Sequence, residues 1–198
     1  MRHNSNQLDL AYQVAKKEKG TREFPGPKSN KRILEYHSTC KMKADSDEVP
    51  WCSAFVNWCY IMAGYLINPH QMNYKLVLAG FSKVELDLYK RSAILMDEKI
   101  CYITDIEKLA DTCRDVNLPT FSAAARSWVD WGKKTDDSIV SDLVILSRGS
   151  NTQSGHVAFF SGFENETVSC LGGNQQDQVM FSNYLPTKVV SFITEEYK

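Results

Sequence analysis

The sequence predicts an α+β fold in which a helical first part is followed by an antiparallel sheet. Three observations lead there. Up to about residue 131 the apolar residues recur at helical spacing. Beyond residue 141 the chain breaks into short segments rich in β-branched and aromatic residues, separated by turn residues. Within the helical part lies a very apolar helix over 51–63, which suits the centre of a core. Helices first and strands after argue for segregated layers rather than alternating βαβ units.

Each element has its own justification. Over 6–19, Leu8, Ala11, Tyr12 and Ala15 share one helical face and Gly20 offers a stop. Phe24-Pro25-Gly26-Pro27 forces a turn. A short helix follows near 30–37, then a polar loop over 41–48. Pro50 suits the first turn of the 51–63 helix, Gly64 its end, and Asp47 and Glu48 the positive end of its dipole. Residues 74–95 alternate apolar and charged positions at helical spacing, and Thr104-Asp105-Ile106-Glu107 reads as a capping box. We take about 68–118 as a helical insertion within a single domain spanning 1–198. Ser122 to Trp131 reads as a further helix ended by Gly132. Strands are expected at 142–146, 156–163, 167–171, 178–182 and 189–194, with Glu164-Asn165-Glu166 as a hairpin turn.

Composition narrows the function. Lys and Arg nearly balance Asp and Glu, for a formal net charge of −1, so charge gives no support to a nucleic-acid partner. No apolar run reaches the ~18 residues of a membrane span, and the polar start lacks the apolar core of a secretion signal. The six cysteines form no CxxC pair and the four histidines are scattered, so no metal and no other cofactor is expected. The cysteines other than Cys52 read as reduced, buried thiols, although a bridge between Cys101 and Cys113 stays open.

Three places can carry chemistry. Cys52 opens the apolar helix, where the dipole and free backbone N–H groups favour thiolate. His156 opens a strand, at a sheet edge from which an imidazole can reach a helix N-terminus. Asn174, in Gly172-Gly173-Asn174-Gln175, follows the strand that pairs with that of His156 and could hold the ring in one tautomer. Gln175 and Asp177 are rival orienting groups. Ser53 supplies a backbone N–H for an oxyanion rather than a nucleophile, with Gln175 in support. Trp51, Arg126 and Trp128 are candidates to line a cleft. Cys, His and a side-chain amide are together the parts of a thiol hydrolase acting on amide carbonyls.

Five blocks also carry a resemblance. Glu23-Phe24-Pro25-Gly26, Trp51 to Trp58, Ala123 to Trp128, Gly155-His156-Val157 and Leu171 to Gln175, in this order, resemble the NlpC/P60 and CHAP group of papain-like cysteine amidases and peptidases, in its phage- and effector-associated branch. The resemblance implies a papain-like core: N-terminal helices, and a nucleophile helix packed on an antiparallel sheet of about five strands. It implies Cys52 as nucleophile, His156 as base and Asn174 as third residue, and peptidoglycan stem peptides as substrate. The 68–118 insertion has no counterpart in short members and could cap the cleft or meet an immunity or inhibitor protein. Action on the wall of a target or host cell after specialised delivery, as an antibacterial effector or phage lysin, is the expected setting. The alternatives are a thiol peptidase, deamidase or acyltransferase on another substrate, or a catalytically dead binding module.

Overall fold

The computed structural model describes residues 7–100, 115–149 and 154–196. Among them the chain is α+β. Helices α1 (Gln7–Lys17), α2 (Lys31–Ser38), α3 (Cys52–Ile67), α4 (Pro69–Leu78) and α5 (Lys83–Ile100) precede a 3-10 turn at Ala125–Asp130. Strands β1 (Lys133–Thr135), β2 (Leu143–Ser147), β3 (Gly155–Glu164), β4 (Thr167–Gln175), β5 (Gln178–Tyr184) and β6 (Val189–Thr194) form one sheet, ordered β1-β6-β2-β3-β4-β5. Every neighbouring pair is antiparallel. The expected capping box at 104–107 and both Cys101 and Cys113 lie outside the described residues.

Helix α3 is the axis of the core. Every residue from Cys52 to Tyr65 is buried, as its all-round apolar sequence requires. It packs on α1, α2, α4 and α5 and on strands β3 and β4. Glu35 of α2 ties this layer together, because its Oε1 accepts from Trp58 Nε1 (2.8 Å) and from Ser92 Oγ of α5 (2.5 Å). The described part of the insertion is therefore built into the core: Met72, Leu76 and Tyr89 are fully buried against the helical layer.

Gly64 was expected to end this helix. Instead α3 continues to Ile67, and Gly64 is a point of close approach. A Cβ there would stand 2.7 Å from Met72 Sδ and 2.9 Å from Gln7 Nε2. Asp47 also serves differently: its Oδ2 accepts from the backbone N–H groups of Phe24 (3.0 Å) and Asn30 (2.8 Å), pinning the turn that precedes α2. The helix expected over 122–131 contracts to the six-residue 3-10 turn.

The sheet has six strands rather than about five. The addition is β1, three residues of Lys-Lys-Thr paired with β6. The sheet also curls. Strands β5 and β6 lie four spacings apart in the sheet order, about 19 Å if flat. Residues 185–188, which join them, reach about 17 Å when extended and less with the 3-10 turn they contain. The face away from α3 accordingly buries its own apolar cluster of Val144, Leu146, Ala158, Phe160, Val168 and Cys170, closed by Tyr184, Val189 and Phe192.

Candidate active site

The site forms where the N-terminus of α3 meets the open ends of β3 and β4. The β3–β4 ladder pairs residues from Glu164↔Thr167 to Phe159↔Leu171. The first residues of β3, His156 among them, thus have no β4 partner in that register. Gly173 makes the room for α3: a Cβ there would lie 2.4 Å from the Trp51 ring and 2.7 Å from Phe55 Cβ. Gly172 is equally constrained, with Ala158 Cβ 2.9 Å from the position of the missing Cβ. Gly173 is therefore required for helix and strand to touch here, and Gly172 for β4 to pass Ala158 and Gln175.

Cys52 is the first residue of α3, and its N-cap, Trp51, offers no side-chain cap. The backbone N–H groups of the first turn are left for other acceptors. Burial pushes the Cys52 thiol up, but the His156 imidazole, by charge and by hydrogen bond, and the backbone N–H groups of Val157 and Ser53 outweigh it. The net effect holds Cys52 below the ordinary thiol range. The other described cysteines go the opposite way. Burial pushes Cys40 up to about 11, Cys170 up to about 12 and Cys59 well above its usual value. All four are free, and only Cys52 is disposed to ionise.

His156 is fixed on its far side by Gln175, whose Oε1 lies 3.0 Å from Nε2. The Gln175 amide cannot usefully flip. Its Nε2 donates to the carbonyls of Met180 (2.5 Å) and Cys170 (3.4 Å), while the Tyr184 hydroxyl donates to Oε1 (3.0 Å). Oxygen is thus presented to the ring, which makes His156 Nε2 the donor. Nδ1 is then the nitrogen left for the sulfur.

The amide on the imidazole is accordingly Gln175 and not Asn174. The reason is a β-bulge. The β4–β5 register shifts between Gly172 and Gln175, placing one extra residue on β4. An extra residue reverses the faces that follow it. Gln175 joins Cys170 and Gly172 on the His156 side, whereas Asn174, at φ 56°, turns to Glu23 and donates to its Oε1 (3.2 Å). Asp177 takes no part at the ring; its carbonyl accepts from Glu23 N.

Two expected cleft residues are core residues. Trp51 is fully buried and donates Nε1 to Glu23 Oε1 (2.8 Å). Trp128 is fully buried and donates Nε1 to Ser53 Oγ (2.9 Å), and Ser53 Oγ in turn donates to the Ser122 carbonyl (2.6 Å). The Ser53 side chain anchors the helix start, and its backbone N–H is the part directed at Cys52. Arg126 is half-buried and lies against Gly155. The residue that sequence reasoning missed is Tyr184. Its ring centroid is 5.9 Å from that of His156, and burial pushes its hydroxyl up to about 12, so it stays a donor. Its signal was present: β5 was expected to end at Ser182, and two further residues of alternation would have brought Tyr184 into the strand.

The arrangement suits nucleophilic attack by sulfur with an oriented imidazole as proton carrier. Cys52 and His156 retain only 4% and 5% of their surface exposed, so any approach is narrow. No helix among the described residues is long and apolar enough to cross a membrane. Scanned against protein-family models the chain matches none, and searches of curated proteins and of solved structures return no match.

Proposed function

We propose that this chain is a papain-like cysteine hydrolase of the NlpC/P60 type, cleaving an amide bond in peptidoglycan stem peptides. The observation that carries the hydrolase reading is the Cys52 thiol held below its ordinary pKa by an imidazole that Gln175 orients. The wall substrate is supported by the resemblance of the five sequence blocks. In the proposed reaction the Cys52 thiolate adds to the amide carbonyl carbon. The oxyanion so formed meets backbone N–H groups at Cys52 and Ser53. The C–N bond then breaks as His156 gives its proton to the departing amine, leaving a thioester. Water, deprotonated by His156, adds to the thioester carbonyl. The C–S bond breaks, and a carboxylate and the free enzyme result. The wall of a target or host cell is the proposed place of action, with the protein as delivered effector or phage lysin.

Digestion of purified sacculi tests this. The wild-type chain should release muropeptides with one new amine and one new carboxylate, and Cys52→Ala should release none while melting as wild type does. Equal release by the variant would end the proposal. The tight enclosure of Cys52 and His156 favours a second reading, a binding module whose site does not turn over. In that case sacculi would bind both chains and be cut by neither.

A further inference from the structure

Arg126 carries a charge with no counter-charge among the described residues. The ion pairs found there join Arg32 to Glu18 and Glu35, and Lys43 to Glu85. Arg126 Nε is buried and makes no hydrogen bond. Nη2 has a long contact with the Ser154 carbonyl, at 3.5 Å. The Gly155 backbone closes Nε off, so the Nη end of the guanidinium is what an arriving acceptor meets.

The place is as informative as the missing partner. The guanidinium lies against the backbone of Gly155, the residue before His156. A Cβ at Gly155 would stand 3.1 Å from Arg126 Nε and 3.4 Å from its Cδ. The bare backbone is what lets the side chain lie there, one residue from the base. Strand β2 pairs Ser147 with Gly155, so Arg148, the next residue, adds positive charge at the same end of the strand pair. No acidic residue occurs between Asp142 and Glu164. A guanidinium presents paired N–H groups in a fixed plane, which match a carboxylate.

We infer that Arg126 is a specificity-determining residue that anchors a carboxylate of the peptide held beside His156. The inference rests on the hydrolase reading for the peptide, but not for the carboxylate itself. The site then takes peptides that carry a free carboxylate within reach of Arg126 and discriminates against their carboxamides.

Calorimetry on the full chain with Cys52→Ala tests this with two probes: a stem tetrapeptide with its carboxylates free, and the same peptide with them converted to carboxamides. With Arg126 present the free acid should bind about 10- to 100-fold more tightly, the range of a charge-assisted hydrogen bond. Arg126→Gln should bring the ratio close to one. Arg126→Lys, which keeps the charge but not the fork, should give an intermediate ratio and serves if the Gln variant does not fold. Equal affinity for the two peptides with Arg126 present, no binding of either, or an undiminished ratio in the variants would overturn the inference. If wild type cuts neither peptide while the Cys52→Ala chain keeps the ratio, the hydrolase reading fails and the carboxylate anchor stands.

Discussion

Gln175 Oε1 sits 3.0 Å from His156 Nε2, and the same oxygen accepts from the Tyr184 hydroxyl at 3.0 Å. One amide therefore couples the imidazole to the end of β5. Its own N–H groups are spent on the carbonyls of Met180 and Cys170, so the orientation of the ring is fixed by a strand pair and not by a loop.

The first prediction separates the two adjacent amides. Gln175→Ala should lower kcat for stem-peptide cleavage by about 10²-fold, the low end of what an oriented acid–base group contributes. Asn174→Ala, which removes a bond to Glu23, should cost no more than about 3-fold, since it leaves the ring untouched and acts only through an outlying polar contact. Steady-state kinetics on one purified muropeptide decides between them, and the reverse ranking would return the third position to Asn174.

Tyr184 should act through Gln175 and not on substrate. Tyr184→Phe keeps the ring beside His156 and removes one donor to Oε1, so kcat should fall by about 3- to 10-fold, a single modest hydrogen bond, with KM unchanged. The acid limb of the pH–rate profile should move upward, because the imidazole that holds Cys52 below the ordinary thiol range is then less firmly placed. A rise in KM with a fixed profile would instead make Tyr184 a substrate contact.

Gly173→Ala should damage both fold and site. The new Cβ would meet the rigid Trp51 ring at 2.4 Å and Phe55 Cβ at 2.7 Å, and neither can give way without moving the start of α3. Overpacking of this kind costs about 1–3 kcal/mol, read as a lowered Tm. Loss of activity should exceed the loss of folded protein, since Cys52 follows Trp51 directly. A variant of unchanged stability would contradict the packing described here.

Much of this architecture was legible in the sequence where periodicity was strong. The apolar run from Trp51 predicted a central helix, and the β-branched and aromatic segments after residue 141 predicted β2 to β6, with β4 read four residues short of Gln175. Cys52 and His156 were readable because each opens an element, and an element's end is set by local residues. The third residue was not, because a single inserted residue in β4 exchanges the faces of Asn174 and Gln175, and a bulge has no signature in alternation when two glycines precede it. Gly64 misled for a related reason: a glycine that ends a helix and one that admits a neighbouring side chain look alike until Met72 and Gln7 are seen beside it. Trp51 and Trp128 were candidates to line a cleft, yet burial of large rings took both. The Lys-Lys-Thr of β1 has no apolar face to reveal it, being an exposed edge.

The thiolate at Cys52 is the claim on which the rest stands, and its titration is the most direct measure of it. The rate of carbamidomethylation at Cys52, followed by intact mass across pH in the wild-type chain and in His156→Ala, reads the ionised fraction. An acid whose pKa is lowered in the folded protein ionises at lower pH, so the wild-type profile should rise below the ordinary thiol value of about 8.5. Without the imidazole the profile should move upward, because burial is then countered only by the backbone N–H groups of Val157 and Ser53. Identical profiles in the two chains, rising only near or above that ordinary value, would contradict an activated nucleophile.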